Sequence, residues 1–148
     1  MGDRAPRRRR KGQVLKSYVF DAGALLALLQ DKSDAAKVEQ LLIEAQRGHA
    51  RILMSSLNYG EIYGTILREH GQLRASQAVG TVRPMPIEIH DVTLQRAFHA
   101  AEVKAKYRLY YVDAFAAALA LEHKATLVTS DADFRRLGHS FPVLWLKA

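Results

Sequence analysis

Four acids stand at positions where a carboxylate needs a reason: Asp21, Glu61, Asp113 and Asp131. Asp21 closes the apolar run Tyr18-Val19-Phe20, and Asp131 follows another, Thr126-Leu127-Val128-Thr129-Ser130. Asp113 opens a segment, Val112 to Leu121, that is otherwise apolar. In an open α/β sheet, residues just past the carboxyl ends of strands converge on one crevice. Carboxylates gathered there repel one another unless something positive joins them, and a hard divalent cation suits an all-oxygen donor set. Mg²⁺ or Mn²⁺, held by a few carboxylates, water and a substrate phosphate, turns a bound water into a nucleophile and offsets charge on the phosphorus and the leaving oxygen. The expected chemistry is therefore phosphodiester hydrolysis. Four or five carboxylates serve one ion or two, and both remain open.

Each acid also has a plainer reading. Asp21 can cap a following helix, since Asp is among the preferred caps. Glu61 shares a polar helix stripe with Asn58 and Thr65, opposite Tyr59, Ile62, Tyr63 and Ile66, and a solvated stripe is ordinary for a surface helix. Asp113 is harder to dismiss, because its helix is apolar nearly all round and ionised carboxylates are rarely buried without a partner. Asp131 and Asp133 lie where a strand becomes a helix, and one of them is expected to cap it. The plain readings work singly, but all must hold together at one crevice, whereas a bound cation accounts for them jointly.

Elements of two kinds must position these residues. Val14–Phe20 reads as a first strand, Ala24–Leu29 as a short helix, and Ser33 as the cap of a helix with Val38, Leu41, Leu42 and Ala45 on one face, ended by Gly48. Ile52–Met54 reads as a strand. Ser56 is expected to cap a helix to about His70, broken by Gly71, with another at Leu73–Thr81. Past Pro84 and Pro86 comes a strand at Ile87–Ile89. Asp91 is expected to cap a helix with Leu94, Ala97, Phe98, Ala101 and Ala105 along one apolar side. Tyr111–His123 reads as a helix, Thr126–Thr129 as a strand, Asp133–Leu137 as a short helix and Val143–Trp145 as a last strand. Such alternation implies an α/β fold, three layers deep, with a central parallel sheet and helices on both faces.

Composition bounds the rest. At 148 residues, 49% hydrophobic and 25% charged, the chain reads as one globular domain. There is no cysteine, which excludes disulfides and thiolate metal sites and agrees with a reducing, cytoplasmic location. The six histidines lack close ligand spacing such as HxxxH, so any metal should be held mainly by oxygen. No stretch reaches the ~20 apolar residues of a membrane span. Of the net charge of +7, residues 1–16 carry +6, leaving +1 for the other 132. Residues 1–13 are expected to be a disordered basic arm before a domain at 14–148. Its Arg7, Arg8, Arg9, Arg10 and Lys11 are candidates for salt-dependent contact with nucleic-acid phosphates, beside the plainer reading of a solvated tail.

The ordered set Tyr18-Val19-Phe20-Asp21 with Ala24-Leu25-Leu26, then Asn58-Tyr59-Gly60-Glu61-Ile62, then Asp113-Ala114, then Thr129-Ser130-Asp131-Ala132-Asp133-Phe134 resembles the PIN-domain ribonucleases, over about residues 14–147. Within that family a stand-alone domain of this size is most similar to the VapC-type toxins of toxin–antitoxin pairs. The resemblance implies that Asp21, Glu61, Asp113 and Asp131 form a Mg²⁺- or Mn²⁺-binding quartet with Asp133 as an accessory acid. It further implies that the Thr129 hydroxyl steadies the site and that Asn58 is the polar residue one turn before the glutamate. It implies hydrolysis of RNA (tRNA or ribosomal RNA among the candidates), a homodimer and a cognate antitoxin. One departure stands out: the family often has a hydroxyl residue after the first aspartate, and here Ala22 and Gly23 follow. The rival expectation built on that departure is a PIN-fold module with weak or no catalysis that binds RNA or protein.

Overall fold

The computed structural model describes residues 15–147; the basic arm lies outside the described residues. The elements are β1 (Lys16–Phe20), α1 (Ala22–Leu29), α2 (Ala35–Gln46), β2 (Ala50–Ser55), α3 (Ser56–His70), α4 (Gln72–Val82), β3 (Glu88–His90), α5 (Leu94–Tyr107), α6 (Tyr111–His123), β4 (Thr126–Thr129), a 3-10 helix (Ala132–Leu137) and β5 (Val143–Trp145). The sheet is parallel throughout, in the order β3-β2-β1-β4-β5. The first strand is thus central. The chain winds outward from it on one side as β2 and β3, and on the other as β4 and β5. The direction of winding switches between β1 and β4, the place where open α/β sheets bind ligands.

Side-chain alternation along the strands builds the three layers. Tyr18, Phe20, Ile52, Met54 and Val128 face one core with α1 to α4. Val19, Leu53 and Leu127 face the other with α5 and α6. Both faces of the central strands are covered, so the strands read as unbroken apolar runs. Helix α6 lies against the sheet with Ala114, Phe115, Ala116, Ala117, Ala118, Leu119 and Ala120 all buried. Its alanines have no bulk on any side, which lets the helix sit between the sheet and α5.

Several local expectations shift. The N-cap of α2 is Asp34 rather than Ser33, and its side chain makes no capping bond. Ser55, not Ser56, caps α3 by accepting from Leu57 N. Thr93, not Asp91, caps α5 by accepting from Arg96 N. In each case the residue directly before the first helical one holds the extended or transitional backbone of a cap. The buried face of α5 is also rotated. Ala100 and Val103 are buried, whereas Leu94 and Phe98 are 70% and 62% exposed. With Ala97 and Tyr107 partly buried beside them, these small residues follow the alanine surface of α6, and the bulkier pair is left outside.

Candidate metal centre

The end of β1 delivers Asp21, which is 6% exposed, to the switch point. Both of its oxygens are used. Oδ1 accepts from Ala24 N at 2.8 Å and caps α1, so the plain reading of this residue holds. Oδ2 accepts a short hydrogen bond from Thr129 Oγ1, at the end of the neighbouring β4. The same hydroxyl accepts from Asp131 N at 3.0 Å, so one buried threonine ties the first and last acids together. Asp131 caps the 3-10 helix through Oδ1, accepting from Asp133 N at 2.9 Å. Asp113 caps nothing. It is the third residue of α6, whose N-cap is Tyr110.

Three carboxylates draw closest. Asp113, Asp131 and Asp133 each offer an oxygen, and the three lie within 4.8 Å of one another. Asp133, expected only as an accessory acid, stands inside this triplet. Asp21 lies behind it, and the exposed Glu61 reaches from α3. Asn58 is fully buried one turn before Glu61 and donates from Nδ2 to Glu61 Oε2 at 3.2 Å, which orients that carboxylate. Asn58 Oδ1 is buried with no partner among the described residues.

Burial, and after it mutual repulsion, shows in the group's protonation. Burial pushes Asp21 up to about 6. The charges of Asp131 and Glu61 add to that, while the bonds from Thr129 and Ala24 pull the other way. Asp113 is pushed up to about 7, first by burial and then by Asp131, Glu61, Asp21 and Asp133. Among the described residues Arg136 is the cation within 4 Å of these acids, 3.9 Å from Asp133 Oδ1. An all-oxygen group with this much uncompensated charge matches the donor chemistry of Mg²⁺ or Mn²⁺.

The family profile described as "PIN domain" matches residues 18–140, a span that holds all five acids. The chain belongs to the PIN-domain family. No curated protein sequence matches it significantly. Among solved structures it is similar to VapBC2 from Rickettsia felis bound to a DNA fragment from its promoter (TM-score 0.68, 17% identity, covering 86% of this chain and 97% of that one). It is also similar to VapC20 from Mycobacterium tuberculosis, a Sarcin-Ricin loop cleaving toxin (TM-score 0.65, 18% identity, 82% and 95% covered). DNA-bound VapBC from Salmonella typhimurium is a third (TM-score 0.65, 16% identity, 88% and 98% covered). At these identities the likeness establishes the fold, a three-layer PIN domain.

Two features of this PIN domain escape a reading by sequence spacing. Gly23 lies against the acids: a Cβ built there would stand 3.5 Å from Asp21 Oδ1 and 3.9 Å from Ser130 Oγ. These are ordinary contacts, and the Ser130 hydroxyl faces the space that a side chain after the first aspartate would share. The second feature is a histidine cluster. His90 at the end of β3 meets Glu122 and His123 at the end of α6, with ligand atoms within 4.8 Å and ring centroids 4.9 Å apart. Sequence spacing could not show it, because only the fold brings strand end and helix end together. A cation already sits there. Arg96 Nη2 is 3.1 Å from His90 Nδ1 and 3.2 Å from Glu122 Oε2. Burial would raise Glu122, but the Arg96 guanidinium and His123 outweigh it and hold the carboxyl below its ordinary value. His90 is lowered, by burial and then by His123 and Arg96. His123 Nε2 lies 2.9 Å from Glu122 Oε2.

Proposed function

We propose that this PIN domain is a metal-dependent endoribonuclease and the toxin of a type II toxin–antitoxin pair. The observation that carries the reading is the carboxylate triplet Asp113, Asp131 and Asp133 at the switch point, with Asp21 and Glu61 adding charge and Arg136 alone, among the described residues, within 4 Å of the triplet to offset it. Asp113, Asp131 and Asp133 would hold Mg²⁺ or Mn²⁺ directly, as one ion or two, with Asp21 and Glu61 completing its surroundings. When bound, the ion supplies Lewis-acid stabilisation of the phosphorane and a water of lowered pKa. The chain's own residues fix the geometry. Thr129 holds Asp21 in place and the Asp131 backbone with it, and Asn58 aims Glu61.

The toxin assignment is supported by the solved VapBC assemblies whose fold this chain shares, and the RNA assignment by the name of VapC20. A cognate antitoxin and a second copy of the chain are the proposed partners, with RNA as substrate. Exposed Leu67, Leu73, Leu94 and Phe98 offer apolar surface for protein partners. No helix among the described residues is long and apolar enough to cross a membrane. The basic arm, with Arg7, Arg8, Arg9, Arg10 and Lys11, is proposed to add salt-dependent contact with phosphates.

Cleavage of tRNA and ribosomal RNA by purified protein, in Mn²⁺, Mg²⁺ or EDTA and beside Asp113→Asn, tests the reading. Discrete fragments that require metal and vanish in the variant are expected. Folded, antitoxin-free protein that cuts in no metal would sink the nuclease and leave a binding module.

A further inference from the structure

Residues 17–148 carry a net charge of only +1, yet their cations are not spread evenly. The last turn of α5 and the residue that ends it supply Lys104 and Arg108, and the 3-10 helix supplies Arg135 and Arg136. Lys104, Arg108 and Tyr110, with Arg136, line a surface concavity of about 450 Å³. Arg135 and Trp145 line a second, of about 470 Å³. The 3-10 helix stands between the two. Lys104, Arg108 and Arg135 form no ion pair within 4 Å among the described residues.

The first concavity meets the carboxylates through Arg136, and the second is joined to them along the sheet through Trp145. Tyr110 is the N-cap of α6, three residues before Asp113, and is 72% exposed. Arg136 Nη1 donates to Arg108 O at 2.8 Å, and its Nη2 is 3.9 Å from Asp133. Trp145 is in register with Thr129, the residue that holds Asp21, and the Arg135 guanidinium lies 5.0 Å over its ring. The first concavity thus sets Lys104 and Arg108, which have no carboxylate within 4 Å among the described residues, beside the exposed Tyr110, and the second sets Arg135 over Trp145.

We infer that these two concavities seat a single-stranded stretch of RNA, with phosphates on Lys104, Arg108, Arg135 and Arg136 and unpaired bases against Tyr110 and Trp145. The inference rests on the nuclease reading and gives it a substrate path. Cations tracking the backbone and aromatics taking the bases are the two halves of single-strand recognition. A duplex keeps its bases stacked and would leave both rings unused. An acidic peptide would satisfy the cations but has no bases for the rings, and its carboxylates would meet those of the site.

Fluorescence anisotropy with a 12-nucleotide single-stranded RNA and a 12-base-pair duplex RNA, full-length protein and EDTA tests this over a salt series. The basic arm contributes equally to every variant and cancels in differences. Lys104→Gln with Arg108→Gln should make the log–log salt slope shallower by about 1.4, from ~0.7 per lost phosphate contact. Tyr110→Ala should weaken single-strand binding about tenfold and leave the slope unchanged, and Tyr110→Phe should restore it. In cleavage assays with Mn²⁺ the losses should fall on KM, in contrast to the kcat loss of Asp113→Asn. Wild-type slope and affinity in all variants overturn the inference, as does equal binding of the duplex. Cleavage that persists with unchanged KM in these variants overturns the path while sparing the nuclease. Absent cleavage with variant-sensitive RNA binding does the reverse.

Discussion

Helix α6 carries an ionisable cluster at each end, with Asp113 and Glu122 nine residues apart, or about 14 Å along the axis. At its N-terminal end Asp113, Asp131 and Asp133 converge with Asp21 and Glu61 nearby, and among the described residues only Arg136, 3.9 Å from Asp133, comes within 4 Å of the triplet to offset their charge. At its C-terminal end His90, Glu122 and His123 converge as tightly, but Arg96 reaches across from α5 and binds both His90 and Glu122. The consequences for protonation are opposite. Asp113 is pushed up to about 7, whereas Glu122 is held below its ordinary value. Proximity of ligand-type side chains is therefore a poor mark of a metal site. What separates the two ends is whether the protein supplies its own counter-charge. Where it does, the cluster is a structural tie between β3, α5 and α6. Where it falls short, the carboxylates keep a charge that the proposed cation would offset.

The largest expected effect that separates the two ends is on catalysis. Asp113→Asn should lower kcat/KM for RNA by more than about a hundredfold, a scale set by the loss of one group from a preorganised charged site. Glu122→Gln should leave cleavage within about twofold, and a comparable loss there would break the contrast.

Metal should tell the ends apart next. Mn²⁺ at 100 times its dissociation constant should stabilise the native protein by about 2.7 kcal/mol, seen as a rise in Tm. The rise should disappear in Asp113→Asn and persist in His90→Ala. A shift lost instead in His90→Ala would move the metal to the other end of the helix.

The pH dependence of metal-free stability follows in size. Asp21 and Asp113 have folded pKa values raised to about 6 and about 7 from an ordinary 3.8, so the native state binds more protons than the unfolded one in that window. Their contribution is stabilising at low pH and is lost as pH rises from about 4 to about 7. Denaturant midpoints should show this decline against the background of the other groups, and Asp113→Asn should flatten it, gaining about 1–2 kcal/mol at pH 8 after solvent screening. Saturating metal should also flatten it, because the cation takes the place of the protons. At the other end, Glu122→Gln should cost about 1 kcal/mol, since it leaves Arg96 without its carboxylate. The smallest effect belongs to Gly23→Ser, which meets only ordinary contacts at its Cβ and should stay within about 0.5 kcal/mol of wild type by chemical denaturation.

Much of the fold was legible because local signals agreed. Tyr111–His123, Thr126–Thr129 and Val143–Trp145 are found at the expected bounds, each an apolar run with clear stops. The five acids were noticeable because strand ends and an apolar helix made them conspicuous, and the fold does gather them. The crowding of Asp133 into the triplet was not legible, since it depends on how the 3-10 helix turns back after Asp131 caps it. The exposed face of α5 was misread because Leu94 and Phe98 are more hydrophobic than Ala100 and Val103, and hydrophobicity alone cannot know that the facing helix is made of alanine. The histidine cluster and the cationic concavities depend on residues far apart in the chain, so spacing carries no trace of them.

One hydrogen bond spans 108 residues, from Thr129 back to Asp21. Because β1 is made first but sits at the centre of the sheet, its β4 side stays open until nearly nine-tenths of the chain has been synthesised. Asp21, Glu61 and Asp113 are all synthesised before β4, whose Thr129 holds Asp21 in place. The site therefore has no partial form that grows with the nascent chain. It comes into being as a late, cooperative event, and a truncated translation product ending before β4 would be inert.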